Sequence, residues 1–556
     1  MFRDVRSEGG MRIVATVKWV VGALGAASGA IAALVGTSVK SPVQNNTQEP
    51  APPKYIKVIL GIAGPLFIVC VLVVLTWASK FLGDMFWGSP TLFSFEQDWD
   101  RAGPFTQPHI WLNFTAVPIV LASLSFLAGW IVNVNRFSLH GMYRNRLVRA
   151  YLGASNVLGN ADEGRRPDPF TGFARSDNLG LSDLWPHDTQ RLKSQAPKAS
   201  LLDRAMKSAL QSSQKLFQKK GTRSSASTED VAPVLPKDHP QIVARAAQRP
   251  LPIFNTTLNL VHGQNLAWQE RKAESFAMTP FFCGNVYEGY RASDKYGGKT
   301  GITVGNAMTI SGAAANPNMG YSSSPVLSFI MTLFNVRLGV WLGNTNSNGD
   351  DTYNLSGPSQ AIKPLFAELF GITSSARRYV NLSDGGHFDN LGIYEVVLRR
   401  CRRILVSDAD ADASFEFENL GNAIRKIRID FGINITFKAK ILILPRESSA
   451  EGALYCAIAN IGYKEADGTE DGTLIYIKPT IHGRGTPVPY DVFSYALANK
   501  AFPHESTIEQ WFSESQFESY RALGYHILEQ LGPDLKDCDF RDFEEAVVRY
   551  LESRET

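Results

Sequence analysis

Three long apolar stretches dominate the first quarter of the chain. They cover about residues 19–36, 58–77 and 114–132. Each approaches the roughly 20 residues that an α-helix needs to cross a bilayer. The second and third predict transmembrane helices. The first is rich in Gly and Ala and has two further explanations: a small-residue helix packed against the others, or a signal peptide that follows Arg3, Arg6 and Arg12.

From about residue 251 the pattern becomes that of a globular domain. The β-favouring run 378–382, a helix capped by Asp389 or Asn390 that extends to Arg403, and the apolar run 404–406 predict a β-α-β unit. Such a unit implies a parallel sheet covered by helices. Further elements are predicted as a helix over 420–430, a buried strand over 440–444, a hairpin of 457–463 with 474–478, and a mostly helical end from 490.

Between these two parts the chain is basic and rich in Ser and Pro. Residues 196–248 look like an insertion, and residues 41–53 like a linker. Apolar residues recur at near-helical spacing within 201–217 and are surrounded by Lys and Arg. This fits either a basic amphipathic helix on anionic lipid, or a solvated helix or flexible linker. The apolar residues are Leu201, Leu202, Met206, Leu210, Leu216 and Phe217. The sequence therefore predicts three regions: a membrane region over 1–150, a partly disordered insertion over 151–250, and an α/β domain over 251–556.

The charge distribution predicts an orientation in the membrane, and the net charge does not indicate a nucleic-acid-binding surface. With 56 Lys and Arg against 53 Asp and Glu, the formal net charge is only +3, so we expect no nucleic-acid partner. Four arginines follow the third apolar stretch, and the loop before it is acidic. The positive-inside rule then predicts an integral membrane protein whose globular C-terminal part is cytoplasmic. The residues are Arg136, Arg144, Arg146 and Arg149 on one side, and Asp84, Glu96, Asp98 and Asp100 on the other.

Cysteine and histidine spacing predicts neither a disulfide framework nor a metal site. The five cysteines are scattered without Cys-x-x-Cys spacing, and the nine histidines form no ligand pair. Asp408, Asp410 and Asp412 alternate as at the start of a calcium loop. However, Ala413 and Asn419 stand where an EF-hand needs Gly and Glu. We expect a polar strand end there, and no metal or other cofactor.

The candidate chemistry lies in the predicted β-α-β unit. Asp384, Gly385 and Gly386 follow the first strand directly, so the glycines would shape a tight turn that holds the aspartate at the carboxyl end of that strand. Open α/β sheets carry their sites at this edge. His387 and Asp389 come next, and they fit either residues that orient Asp384 or side chains that cap the following helix.

This Asp-Gly-Gly element resembles that of patatin-like phospholipases and the related cytosolic phospholipases. Other segments are similar to the family's central strands, its small-residue turn and the closing helix of a bacterial membrane-associated branch, so the resemblance covers roughly residues 109–550. These segments are 252–257, 310–320 and 513–524. The resemblance implies a patatin-like parallel or mixed sheet with flanking helices. It also implies hydrolysis of lipid esters by a Ser-Asp dyad in which Asp384 is the base.

The chain departs from the family in its nucleophile. No serine stands in Gly-x-Ser-x-Gly, and no Gly-Gly-Gly-x-Arg/Lys oxyanion turn follows a strand. Ser311 lies beside Gly312 and other small residues, and it has two interpretations. It is either a substitute nucleophile or part of a purely structural turn. The simplest account is the C-terminal part of a patatin-like protein, with the nucleophile on an upstream piece, on a separate subunit or nowhere.

The sequence thus predicts a membrane-anchored lipid acyl hydrolase, or its C-terminal part, that meets membrane lipids at the cytoplasmic face. The alternative is a catalytically inactive membrane scaffold or regulatory subunit that keeps the fold and lacks the nucleophile.

Overall fold

The computed structural model describes residues 108–153, 168–169, 172, 174–185, 250–262, 270–446, 453–482, 487–506, 513–532 and 539–555. The predicted spans at 19–36 and 58–77, the linker and the insertion over 196–248 lie outside these residues.

A long helix covers the third apolar stretch. Helix α1 is Pro108–Ile131, and α2, His140–Leu147, follows it and continues into a π-helical turn at Val148–Gly153. Among the residues that the structure describes, no helix qualifies by length and apolarity as one that crosses a membrane. The helix predicted at 114–132 is confirmed, and its insertion in a bilayer stays a prediction.

The first sheet has six strands in the order β4-β3-β2-β1-β6-β5, and every neighbouring pair is antiparallel. The strands are β1 Phe254–Asn259, β2 Ala273–Met278, β3 Phe282–Asn285, β4 Gly289–Ala292, β5 Val340–Gly343 and β6 Tyr379–Asp384. Between β4 and β6 the chain forms helices α3 Val304–Ser311, α4 Pro325–Leu333 and α5 Ile362–Leu369. Side chains on β6 alternate between two faces. Val380 and Leu382 pack with Ile310 of α3 in one core, whereas Asn381 and Ser383 enter a polar layer on the other face.

The second sheet has four strands in the order β7-β10-β9-β8, of which only β7 and β10 are parallel. Its strands are β7 Arg403–Ser407, β8 Asn434–Phe437, β9 Cys456–Gly462 and β10 Gly472–Ile477. Helices α6 Ile393–Leu398 and α7 Glu418–Phe431 cover one face of this sheet. After the short helix α8, Tyr463–Asp467, the chain returns to cover the other face with α9 Tyr490–Ala498, α10 Glu514–Leu531 and α11 Phe540–Glu555.

The α/β class is confirmed, but the predicted parallel pairing within the β-α-β unit is wrong. Strand, helix and strand occur in that order as β6, α6 and β7, yet β6 belongs to the first sheet and β7 to the second. The local apolar pattern fixes each element, whereas long-range pairing decides which sheet receives it.

Other predicted elements have mixed outcomes. The helix over 420–430 is α7, whose buried Leu420, Ala423 and Ile427 share one face, and it ends at Gly432 with a positive φ of 69°. The predicted hairpin is β9 with β10, and the helical end is α9 to α11. The strand predicted over 440–444 is wrong: the chain there is irregular, and its neighbour β8 pairs with β9 instead.

Candidate functional site

Asp384 is the last residue of β6, opposite Thr256 on the neighbouring strand β1. Its side chain accepts the backbone N–H of Gly386 at 2.7 Å, which caps the short 3-10 turn Gly385–His387. By strand alternation Asp384 shares the sheet face of Leu382, and α3 packs on that face. The structure therefore places the carboxyl group at the end of a rigid strand, beside the end of α3.

Lack of space requires glycine at 385, and at 386 any larger residue would displace the side chain of Asn390. A Cβ on Gly385 would lie 2.5 Å from the carbonyl oxygen of Asn255, and one on Gly386 would lie 2.5 Å from Oδ1 of Asn390. Neither residue is among those with a positive φ, so the tight turn does not depend on left-handed backbone. The glycines let β1 and the turn approach each other closely, and this approach fixes the direction of the Asp384 side chain.

Burial raises the pKa of Asp384 from 3.8 to about 6, and the hydrogen bond from Gly386 opposes this rise only in part. The residue as a whole is half-buried. A carboxylate with a pKa near neutrality is a better proton acceptor than an ordinary aspartate and is still largely ionised at pH 7. These properties suit a general base.

Ser311 ends α3 near this turn, but it does not form a dyad with Asp384. Its hydroxyl donates to the carbonyl oxygen of Asn255 at 2.8 Å, the same atom that limits space at Gly385. The end of α3, the turn at Gly385 and strand β1 therefore meet at Asn255. A serine activated by Asp384 would instead donate its proton to the carboxylate, so the described arrangement brings Ser311 to the site without activating it.

Tyr143 on α2 joins the site, and sequence reasoning missed it. Its hydroxyl would lie 3.0 Å from a Cβ on Gly312, directly over the end of α3. Burial and then the charge of Asp384 raise the pKa of Tyr143, so the two groups lie within electrostatic range of each other. No local sequence signal links them, because α2 reaches the site only by packing across α3.

His387 turns away from Asp384 to the opposite face of the sheet. Its Nδ1 lies 2.8 Å from Oγ of Ser383, and that oxygen also accepts a hydrogen bond from Asn259. Burial lowers the pKa of His387 to about 4, so the ring is neutral at pH 7. This Ser-His pair resembles a nucleophile with its base, but Ser383 is fully buried and no substrate can reach it. The pair supports the strand that ends in Asp384.

Asp389 caps the start of the following helix, which is one of the two roles open from sequence. Its carboxylate accepts the backbone N–H groups of Leu391 and Tyr394 at 3.1 and 2.8 Å. Burial raises its pKa, and these hydrogen bonds oppose the rise. The side chain thus positions α6 rather than Asp384.

The alternating aspartates at the end of β7 belong to a separate ionic cluster. Nζ of the buried Lys478 lies 3.2 Å from Oδ2 of Asp408 and 3.6 Å from Oδ2 of Asp412. Because β7 and β10 are parallel, the ends of both strands meet at this edge. Within the described part of the chain, no group of His, Cys, Asp or Glu is arranged to hold a metal ion.

A cavity of about 270 Å³ is lined in part by Asn255. Its walls come from α6 and β7, and Arg403 lies among the lining residues. The apolar members are Leu391, Ile393, Val396, Ile404, Leu405 and Val406. The lining thus combines aliphatic side chains with the polar groups of Asn255 and Arg403.

Comparison with known proteins supplies no assignment: no family model matches the chain, and no curated protein or solved structure matches it significantly.

Proposed function

We propose that this chain is a membrane-bound lipid acyl hydrolase of the patatin-like kind, or its C-terminal part, in which Asp384 is the general base. The observation that carries the proposal is the position of Asp384 at the end of an interior strand, in a tight glycine turn, where burial raises the pKa of its carboxyl group to about 6. In this mechanism Asp384 takes the proton of a serine hydroxyl as the oxygen attacks the ester carbonyl of a lipid. Gly385 and Gly386 keep the turn close to β1 so that the carboxylate stays aimed.

Two neighbours support ester chemistry at this position. The hydroxyl of Tyr143 can exchange a proton or donate a hydrogen bond close to Asp384. The cavity lined by Asn255 and by the aliphatic side chains of α6 and β7 offers room for part of an acyl chain. The proposed substrate is therefore a phospholipid or another lipid ester. We further propose that the chain is integral to the membrane with its globular part in the cytoplasm, and that an upstream fragment or subunit supplies the nucleophile if Ser311 does not.

The second candidate is a non-catalytic scaffold or regulatory subunit. It is favoured by one observation: the hydroxyl of Ser311 is occupied by the backbone carbonyl of Asn255 rather than by Asp384. A protein that has lost its nucleophile would keep the fold with this serine in a structural role.

Fluorophosphonate labelling separates the two candidates. The purified chain in detergent is treated with the probe, and labelled peptides are identified by mass spectrometry. A hydrolase should give one labelled serine, and Asp384→Asn should abolish or strongly reduce the labelling. Loss in Ser311→Ala would identify Ser311, whereas Ser383→Ala should have no direct effect because that serine is buried. Absence of labelling in every form would refute an autonomous hydrolase and favour the scaffold.

A further inference from the structure

A buried arginine holds together three segments that lie far apart in the sequence. Arg337 donates to the carbonyl oxygen of Val134 at 2.7 Å, to Oδ1 of Asn335 at 3.0 Å and to Oε2 of Glu368 at 2.5 Å. These partners lie just after α1, just after α4 and on α5. The side chains of Arg337 and Glu368 are both fully buried. The clamp therefore fixes the surfaces of the three segments next to one another.

Each clamped segment exposes large apolar side chains. Phe137 follows α1 and is 65% exposed, while Phe366 and Phe370 on α5 are 53% and 63% exposed. The end of α4 adds Leu333 and Phe334, which are also exposed. We call these five residues the apolar face. The side chain of Asn335 donates to the carbonyl oxygen of Phe137, so the contributions of α1 and α4 are in direct contact.

The three segments that carry the apolar face contain exposed cations and no exposed acid. No Asp or Glu occurs in residues 119–150 or 325–340, and the only acid in 361–372 is the buried Glu368. Arg136 and Lys363 are exposed beside the phenylalanines. On α5, Lys363, Phe366 and Phe370 recur at helical spacing on the exposed side, opposite the buried Pro364 and Ala367. Aromatic residues bordered by cations, with no exposed acid, are typical of a surface that binds anionic lipid.

We propose that the apolar face docks on the surface of an anionic lipid bilayer, with Phe137, Phe366 and Phe370 among the acyl chains and Arg136 and Lys363 at the headgroups. This inference rests on the membrane location in the proposed function, but it does not require hydrolysis. The chain's own apolar stretch at 58–77 is a less suitable occupant, because it carries no negative charge to match the cations. The docking also places α2, which carries the exposed Met142 and the site residue Tyr143, at the lipid surface.

Site-specific photo-crosslinking in the full chain tests the docking. p-Benzoylphenylalanine replaces Phe366, Phe370 or, as a matched control, Phe517, one at a time. Phe517 is 52% exposed on α10, a helix that packs on the second sheet. Each protein is reconstituted in vesicles of phosphatidylglycerol and phosphatidylcholine and irradiated, and its adducts are read by mass spectrometry. We expect lipid adducts at 366 and 370 at several times the yield at 517, and a lower yield in vesicles of phosphatidylcholine alone.

Three outcomes would overturn the docking. These are equal lipid adducts at 517, adducts to the 58–77 stretch or to a second copy in place of lipid, and an equal yield without phosphatidylglycerol. Repeating the reaction with Asp384→Asn keeps the two proposals apart. The substitution should leave the adducts unchanged, and lipid hydrolysis is measured in the same vesicles, so the docking and the hydrolase can each fail alone.

Discussion

Asp384→Asn is expected to stabilise the folded protein at neutral pH while it removes the proposed base. The pKa of the carboxyl rises from 3.8 to about 6 because folding buries it. Below pH 3.8 the carboxyl group is neutral in both the folded and the unfolded state, so its ionisation does not lower the free energy of unfolding. As the pH rises towards 6, the unfolded state ionises first and stability falls, and the loss is complete above pH 6.

The size of the effect follows from the two pKa values. At about 1.4 kcal/mol per pH unit between them, ionised Asp384 destabilises the folded state by up to about 3 kcal/mol. This is an upper bound because the residue keeps partial exposure. Asparagine carries no charge, and its side-chain oxygen can still accept the N–H of Gly386. The variant should therefore gain up to this amount at pH 8 and nothing at pH 3.5.

The assay is unfolding of the full chain in detergent, by heat or by denaturant, between pH 3.5 and 8. A gain of 1 kcal/mol corresponds to on the order of 2–4 °C in the midpoint for a domain of moderate size, so the shift is measurable. Asp294→Asn on an exposed loop controls for the loss of one negative charge. A gain that is the same at pH 3.5 and pH 8, or no gain at pH 8, would refute burial as the cause of the raised pKa.

Three further predictions concern the structure around the site. Gly385→Ala should destabilise the chain by about 1–3 kcal/mol, because the new Cβ would lie 2.5 Å from a backbone oxygen. Gly421→Ala, near the start of α7 where no atom lies within 4 Å of the new Cβ, should stabilise it by up to about 1 kcal/mol. Denaturant unfolding compares the two variants. Arg337→Met should cost about 3–5 kcal/mol, because it leaves the buried carboxylate of Glu368 without its cation. Arg521→Met removes an ion pair that is exposed to solvent, so it should have a far smaller effect. Equal unfolding midpoints for the two variants would contradict this. Because the pKa of His387 is lowered from 6.5 to about 4, its neutral ring contributes its full stabilisation of the folded state above pH 6.5. As the pH falls from 6.5 to 4, the free energy of unfolding should decrease by up to about 3 kcal/mol from this residue. His387→Gln should therefore lose less stability than the unchanged protein over the same pH range.

Sequence reasoning located the elements around the site because their signals are local. The run that ends at Asp384 forms a strand, the glycines after it form a tight turn, and Ser513 caps the helix predicted at the C-terminal end. Capping, turn and alternation signals depend on residues within a few positions of one another, so they can be seen without the fold.

The contacts that define the site could not be found in this way. Tyr143 comes within electrostatic range of Asp384 only through the packing of α2 across α3. His387 bonds Ser383, which strand alternation places on the sheet face opposite Asp384. Only the structure shows which strands pair with β6. These are β1 and β5, whereas β7, which the predicted β-α-β unit places beside β6, belongs to the other sheet.

The sequence by itself determined the helix at 114–132, the strand that carries Asp384, the need for glycine after it and the lack of a recognisable nucleophile motif. Only the tertiary structure decided that both sheets are largely antiparallel, that Asn255 joins Ser311 to the turn, and that one buried arginine brings three phenylalanine-bearing segments to one surface. The physical reason is the range of the interactions. Local backbone preferences act between neighbours in the chain, whereas a carboxyl pKa, a buried ion pair or an apolar face arises from groups that meet only after the chain has folded.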